Sequence, residues 1–131
     1  MTPLDYNYLT HQIIKAAVEV HRHFGPGLME FVYDVCLQHE LTKNGLYVER
    51  QKVLPVYYKG HDLHKEFVID QLIENEIVLE LKSIEGILPI HEAQLVTYLK
   101  LANKKLGLLI NFNVTILKDG IRRKINGNLY Q

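Results

Sequence analysis

Residues 66–83 read EFVIDQLIENEIVLELKS. Two runs rich in apolar and β-branched residues, 66–73 and 77–83, flank Glu74-Asn75-Glu76, which has turn composition. The pattern predicts an antiparallel hairpin. Alternation along the second strand sets Val78, Glu80 and Lys82 on one face and Ile77, Leu79 and Leu81 on the other. Asp70 lies five residues before Asn75 and Glu80 five after it, so a turn at Asn75 brings the two carboxylates across from each other.

Helical periodicity returns over residues 90–102, with Leu95, Leu99 and Ala102 inward. Residues 106–112 (LGLLINF) form a continuous apolar run, typical of a strand buried on both faces. Strand, helix and strand make a βαβ unit, so the segments at 77 and 106 are expected to be parallel. Residues 113–119 read as loop or strand edge, and 121–125 as a last short strand.

Upstream of the hairpin, residues 46–58 are rich in Val, Leu and Tyr, and Pro55 within them marks an edge strand or a break. Lys59-Gly60-His61-Asp62 reads as a turn. Residues 6–24 carry Leu9, Ile13, Ile14, Ala17, Val18 and Val20 at helical spacing, up to the breaker Gly25-Pro26-Gly27. A second helix is expected over 28–44, with Met29, Val32, Tyr33, Cys36, Leu37 and Leu41 on one face and Asn44-Gly45 at its end. The predicted order is α-α-β-β-β-α-β, with a possible final strand: an α/β fold whose mixed sheet is flanked by helices.

At 131 residues, with 47% hydrophobic and 23% charged residues, the chain is expected to form one domain over 1–131. No apolar run is long enough for a bilayer, so no membrane partner is expected. Residues 1–10 lack the basic-then-apolar order of a signal peptide, which makes the cytoplasm the default location. The single cysteine, Cys36, allows no internal disulfide and reads as a buried, inert thiol; its only local partner for nucleophilic chemistry is His39. His21 and His23, and His61 and His64, lack zinc-site spacing. Gly25-Pro26-Gly27 lacks the Lys-Ser/Thr of a phosphate-binding loop.

Net charge is zero but unevenly spread. Residues 1–99 hold 8 Lys/Arg and 14 Asp/Glu, whereas 100–131 hold 7 Lys/Arg and one acid, Asp119. Lys104, Lys105, Lys118, Arg122, Arg123 and Lys124 therefore form either a solvated basic segment or a phosphate-contacting edge.

Two facing carboxylates repel, and burying them is costly. A cation relieves both problems. Magnesium takes hard oxygen ligands and is usually held by one or two carboxylates plus waters and substrate phosphates. Lys82 beside it supplies a charge that can orient or deprotonate water, or stabilise a developing phosphate charge. The plain alternative is a structural ion pair of Lys82 with Glu80 or Asp70. On the spacing D-x9-E-x-K alone the ion pair is the preferred reading, since Asp, Glu and Lys on a hairpin are common. Arg50 and Lys52, alternating on one strand face, are either phosphate contacts or solvated charges.

Asp70, Glu80-Leu81-Lys82 and the helix that follows resemble the core motif of the PD-(D/E)xK nuclease superfamily, with Ile69 where the name has Pro. Gly27-Leu28-Met29-Glu30-Phe31-Val32-Tyr33 is similar to the signature of the GxxExxY family within it. Further similarity lies in Glu49-Arg50-Gln51, Tyr58-Lys59-Gly60, His91-Glu92-Ala93-Gln94, Tyr98-Leu99 and Leu108 to Phe112, so that it extends over roughly 6–124. The resemblance implies a restriction-endonuclease-like core. It implies metal binding by Asp70, Glu80 and the Leu81 carbonyl, with Mg2+ as cofactor and Mn2+ as substitute. Lys82 is then catalytic, assisted by Glu30 on the second helix and Gln94 on the third. Tyr98, one turn beyond Gln94, joins Arg50, Lys52, Arg122 and Arg123 as expected nucleic-acid contacts. Bottom-up, Glu30 equally suits the first turn of its helix, Tyr33 a packed position, and Gln94 the surface. The function expected is Mg-dependent hydrolysis of nucleic-acid phosphodiester bonds, in a chain compatible with a homodimer. The alternative is a catalytically silent nucleic-acid- or protein-binding module on the same fold.

Overall fold

The structure is a computed structural model that describes residues 1–129, the Leu4 side chain excepted. Helices α1 (Pro3–Phe24) and α2 (Glu30–Lys43) precede strands β1 (Val48–Tyr58), β2 (His61–Ile73) and β3 (Ile77–Lys82). Helix α3 (Pro89–Ala102), β4 (Leu106–Asn111), a 3-10 turn (Leu117–Gly120) and β5 (Ile121–Ile125) follow. The five strands lie in sequence order in one sheet. β3 and β4 are parallel, joined by α3 as crossover, and the other neighbours are antiparallel. This is the mixed, helix-flanked sheet of a restriction-endonuclease-like α/β fold.

Local chemistry sets each element. Thr2 caps α1: its hydroxyl accepts from the Asp5 N–H (3.2 Å) while the Asp5 carboxylate accepts from the Thr2 N–H (3.0 Å), with Pro3 in the first turn. Gly25, at φ 70, ends the helix. α2 begins at Glu30, two residues later than the periodicity predicts. The reason is Tyr33, whose hydroxyl accepts from the Leu28 N–H (3.1 Å) and donates to the Gly25 carbonyl (2.6 Å), holding the breaker extended. Met29 consequently lies outside the helix and is 68% exposed, not on the inward face. The Tyr33 ring stacks on Phe112 at 4.4 Å.

The sheet separates two cores. On one side Leu9, Ile13, Ala17, Tyr33, Leu37 and Leu41 of α1 and α2 cover Ile77, Leu79, Leu81, Leu108 and Ile110. On the other, Leu95 and Leu99 of α3 cover Ile69, Leu72, Val78 and Leu109. α3 seats closely because β4 offers Gly107 beneath it; a Cβ there would lie 2.8 Å from Leu95 Cδ1.

β2 starts at His61, not 66, because the turn is only Lys59-Gly60, both at positive φ (51 and 80), with Tyr58 paired to His61. Residues 61–65 carry no alternation signal because that part of the β1–β2 ribbon is exposed. Pro55 sits within β1, on the sheet edge where a missing N–H is tolerated, next to a register shift. Cys36 is half-buried rather than buried, in a groove between α1 and α2 that His39 also lines. No helix among the described residues is long and apolar enough to cross a membrane.

Candidate active site at the end of the hairpin

Glu74 and Asn75 turn the hairpin with positive φ at both positions (53 and 57). The ladder then runs Ile73 to Ile77, Leu72 to Val78 and Gln71 to Leu79. At the next step side chains replace the ladder. The Asp70 N–H donates to Glu80 Oε1 (3.2 Å), and the Leu81 N–H donates to Asp70 Oδ2 (2.7 Å). The Leu81 carbonyl leaves its strand on the same side as that N–H, toward the gap where β2 stops pairing.

β1 carries the matching irregularity. Arg50 pairs with Gln71 and Lys52 with Ile69, while Gln51 between them adopts φ 53. Side-chain alternation slips by one residue here. Ile69 and Leu72, three apart, both enter the α3-side core, and Arg50 and Gln51, adjacent, both donate to Asp34 Oδ2 of α2 (2.7 and 3.3 Å). Arg50 and Lys52 therefore do not share a face as simple alternation predicts; Lys52 pairs with Glu49 instead. The slip turns Asp70 toward an open cleft of about 450 Å³ on the α2 side, lined with Glu30, Phe31, Asp34, Arg50, Gln51 and Leu81.

Burial pushes the Asp70 carboxyl upward, the Asp34 and Glu30 charges add to this, and the Leu81 N–H and Lys82 hold it down. Burial, then the Asp70 charge, pushes Glu80 up to about 8 against the pull of Lys82. Glu80 is only 6% exposed. On the α3 side, Tyr98 is raised by burial and by the charges of Glu80 and Asp70. Its ring stacks on Phe67 (5.4 Å), and exposed Gln94 donates to its hydroxyl (3.1 Å). Glu30, the first residue of α2, is exposed and accepts from the Ser83 N–H at 3.4 Å. The structure thus brings Asp70, Glu80, Leu81 and Lys82 together, with Glu30 on one side and Tyr98 with Gln94 on the other.

The remaining basic residues are spread out. Leu109 pairs with both Glu80 and Arg122, which sets Arg122 two strands away, roughly 10 Å, on the α3 side. Arg123 faces the opposite way and donates to Asn7 of α1 (3.3 Å). Lys124 pairs with Glu92 of α3 (2.7 Å). These contacts tie β5 to its neighbours.

Among the described residues no three His, Cys, Asp or Glu side chains form a metal cage. The donor set is two hard carboxylates and a backbone carbonyl, with Asp70 and Leu81 lining an open cleft, which suits a divalent cation that keeps waters and phosphate oxygens as its other ligands. The excess negative charge at Asp70 and Glu80, only partly offset by Lys82, fits such a cation.

Four residues at the site escape the sequence reading: Phe31, Asp34, Gln51 and Gln71. Asp34 had a signal. It lies at helical spacing with buried Leu37 and Leu41, so a charge stands on the inward stripe of α2. Its partners are Arg50, Gln51 and Gln71, whose Nε2 donates to Asp34 Oδ1 (2.7 Å) and its carbonyl (2.9 Å).

Fold and site together define an α/β domain with an acid-acid-lysine hairpin beside an open cleft. A family model of the PD-(D/E)XK nuclease superfamily matches residues 7–124, and the chain belongs to that superfamily. The crystal structure of SSO0001 is similar, with a TM-score of 0.50 and 25% sequence identity over 76% of this chain and 50% of that one. This chain spans about half the length of that protein. No curated protein matches. The superfamily is one of nucleases, which generally use divalent metal ions.

Proposed function

We propose that the protein hydrolyses phosphodiester bonds of nucleic acid with Mg2+, and that it is of the GxxExxY type within its superfamily. The observation that carries this is the pairing of Asp70 with Glu80 and Leu81, which sets two carboxylates together near a lysine, with Asp70 and Leu81 lining an open cleft. Asp70, Glu80 and the Leu81 carbonyl would hold the ion. Bound there, the ion supplies Lewis acidity and a lowered pKa for water. Lys82, which makes no ion pair among the described residues, is free to turn toward the attacking water or a phosphate oxygen. Glu30 orients water at the cleft mouth, and Gln94 holds the Tyr98 hydroxyl beside Glu80.

The test is incubation of the purified protein with single- and double-stranded DNA and RNA in Mg2+ or Mn2+. Cleavage abolished by chelation and by Asp70→Asn is the expected result. No cleavage of any substrate, together with Mn2+ binding indifferent to Asp70→Asn and Glu80→Gln, would overturn the proposal.

A further inference from the structure

Two groups in the α2-side cleft have no task in metal binding or hydrolysis. Phe31, the second residue of α2, is 58% exposed on the cleft wall and adds little to the core. Arg50 uses only its Nε, on Asp34; its two Nη groups have no partner among the described residues. Asp34 is itself fixed by Gln71, which is fully buried, so the guanidinium is aimed and not loose. A pre-oriented guanidinium with free N–H groups can donate hydrogen bonds to a phosphate, and an exposed aromatic ring lining the same cleft can serve as a stacking platform for a base. The cleft volume of about 450 Å³ is in the range of small-ligand sites. A base inside a duplex has both faces covered by its neighbours and must leave the stack to lie on such a platform, whereas a single strand offers its bases without that cost.

We infer that the cleft is a subsite for one unpaired nucleotide, with its base on Phe31 and its phosphate on Arg50, so that the substrate class is single-stranded nucleic acid. The inference rests on the hydrolytic reading of Asp70, Glu80 and Lys82, which places the neighbouring phosphate at Asp70.

Binding is measured by fluorescence anisotropy in Ca2+, with a short oligodeoxythymidine, the matching oligouridine and a blunt duplex as probes. The two single strands distinguish deoxyribose from ribose. At least one single strand is expected to bind more tightly than the duplex. Phe31→Ala weakens that binding about tenfold or more, and Phe31→Trp restores it. Arg50→Gln weakens it and lowers the salt slope by roughly one phosphate contact. Phe31 is at the surface, so its variants keep the fold, which thermal melting verifies. Equal binding of duplex and single strand, an unchanged Phe31→Ala, or no binding of any probe overturns the subsite. Cleavage is read separately. Single-strand binding through Phe31 without cleavage sinks the hydrolytic reading alone, whereas cleavage with Phe31→Ala indistinguishable in binding sinks the subsite alone.

Discussion

Asp70 and Glu80 are locked together through the backbone: the Asp70 N–H donates to Glu80 Oε1 at 3.2 Å, and the N–H of Leu81, next to Glu80, donates to Asp70 Oδ2 at 2.7 Å. Each carboxylate is therefore positioned by the other's strand, and both are rigid before any ligand arrives. The arrangement concentrates negative charge where burial already disfavours it, and its consequences can be measured.

The first consequence concerns pH. Glu80 rises from its ordinary 4.5 to about 8 in the folded protein. Between these values the unfolded chain releases the proton and the folded one retains it, so metal-free stability falls as pH rises from about 4.5 to about 8 and levels off above. Asp70 shifts in the same direction and steepens the fall. Thermal melts of the chelated protein from pH 5 to pH 8 should show this decline, flattened in Glu80→Gln. Added Mg2+ should remove much of it, because a bound cation favours the ionised pair. A melting temperature that rises over this range would contradict the assignment.

Lys82 stands near both carboxylates without pairing to either. Lys82→Met should lower cleavage by about 10²–10³, the usual effect of removing one charge-stabilising donor, while melting temperature and Mn2+ affinity change little. Loss of Mn2+ binding in this variant would assign Lys82 to building the site and not to the chemistry.

Asp34 gathers Arg50, Gln51 and Gln71. Asp34→Ala takes one of two acceptors from the buried Gln71 amide, the backbone carbonyl remaining, and releases the guanidinium, a loss of about 1–3 kcal/mol in denaturant unfolding. Cleavage should fall further than this lost stability explains, because Arg50 is no longer aimed and the slip at Gln51 loses its anchor. Wild-type turnover in a folded Asp34→Ala protein would show that the network is structural only.

Tyr33 ties Leu28 to Gly25 by two hydrogen bonds and stacks on Phe112. Tyr33→Phe keeps the stack and loses both bonds, leaving the Leu28 N–H without its partner. The expected cost is about 1–3 kcal/mol, read as a lower denaturation midpoint. Because this loop leads directly into Glu30, proteolytic cleavage near residues 25–29 should also accelerate.

Much of this molecule is legible from residue order because its signals are local. The turn at Glu74-Asn75, the alternation of Val78, Glu80 and Lys82, the stripe of α1 and the apolar run at 106–112 each state a periodicity over a few residues. They are enough to derive the hairpin, the parallel β3–β4 pair and the nearness of Asp70 to Glu80. Helix ends were less legible: the start of α2 depends on the Tyr33 hydroxyl reaching back to Gly25, a contact between side chain and loop that no pattern records.

By itself the sequence determined the mixed sheet, the order of its elements and the acid-acid-lysine set on the hairpin, since period-2 and period-3.6 patterns depend only on near neighbours. Only the tertiary structure decided which way the site opens. The slip at Gln51 and Asp70 arises where β1, β2 and Asp34 of α2 meet, three segments distant in sequence. That meeting turns Asp70 toward the cleft, sends Arg50 and Lys52 to different faces, and leaves Phe31 and Arg50 lining the same cleft. Alternation cannot show it, because the slip is stabilised by partners that lie outside the strand.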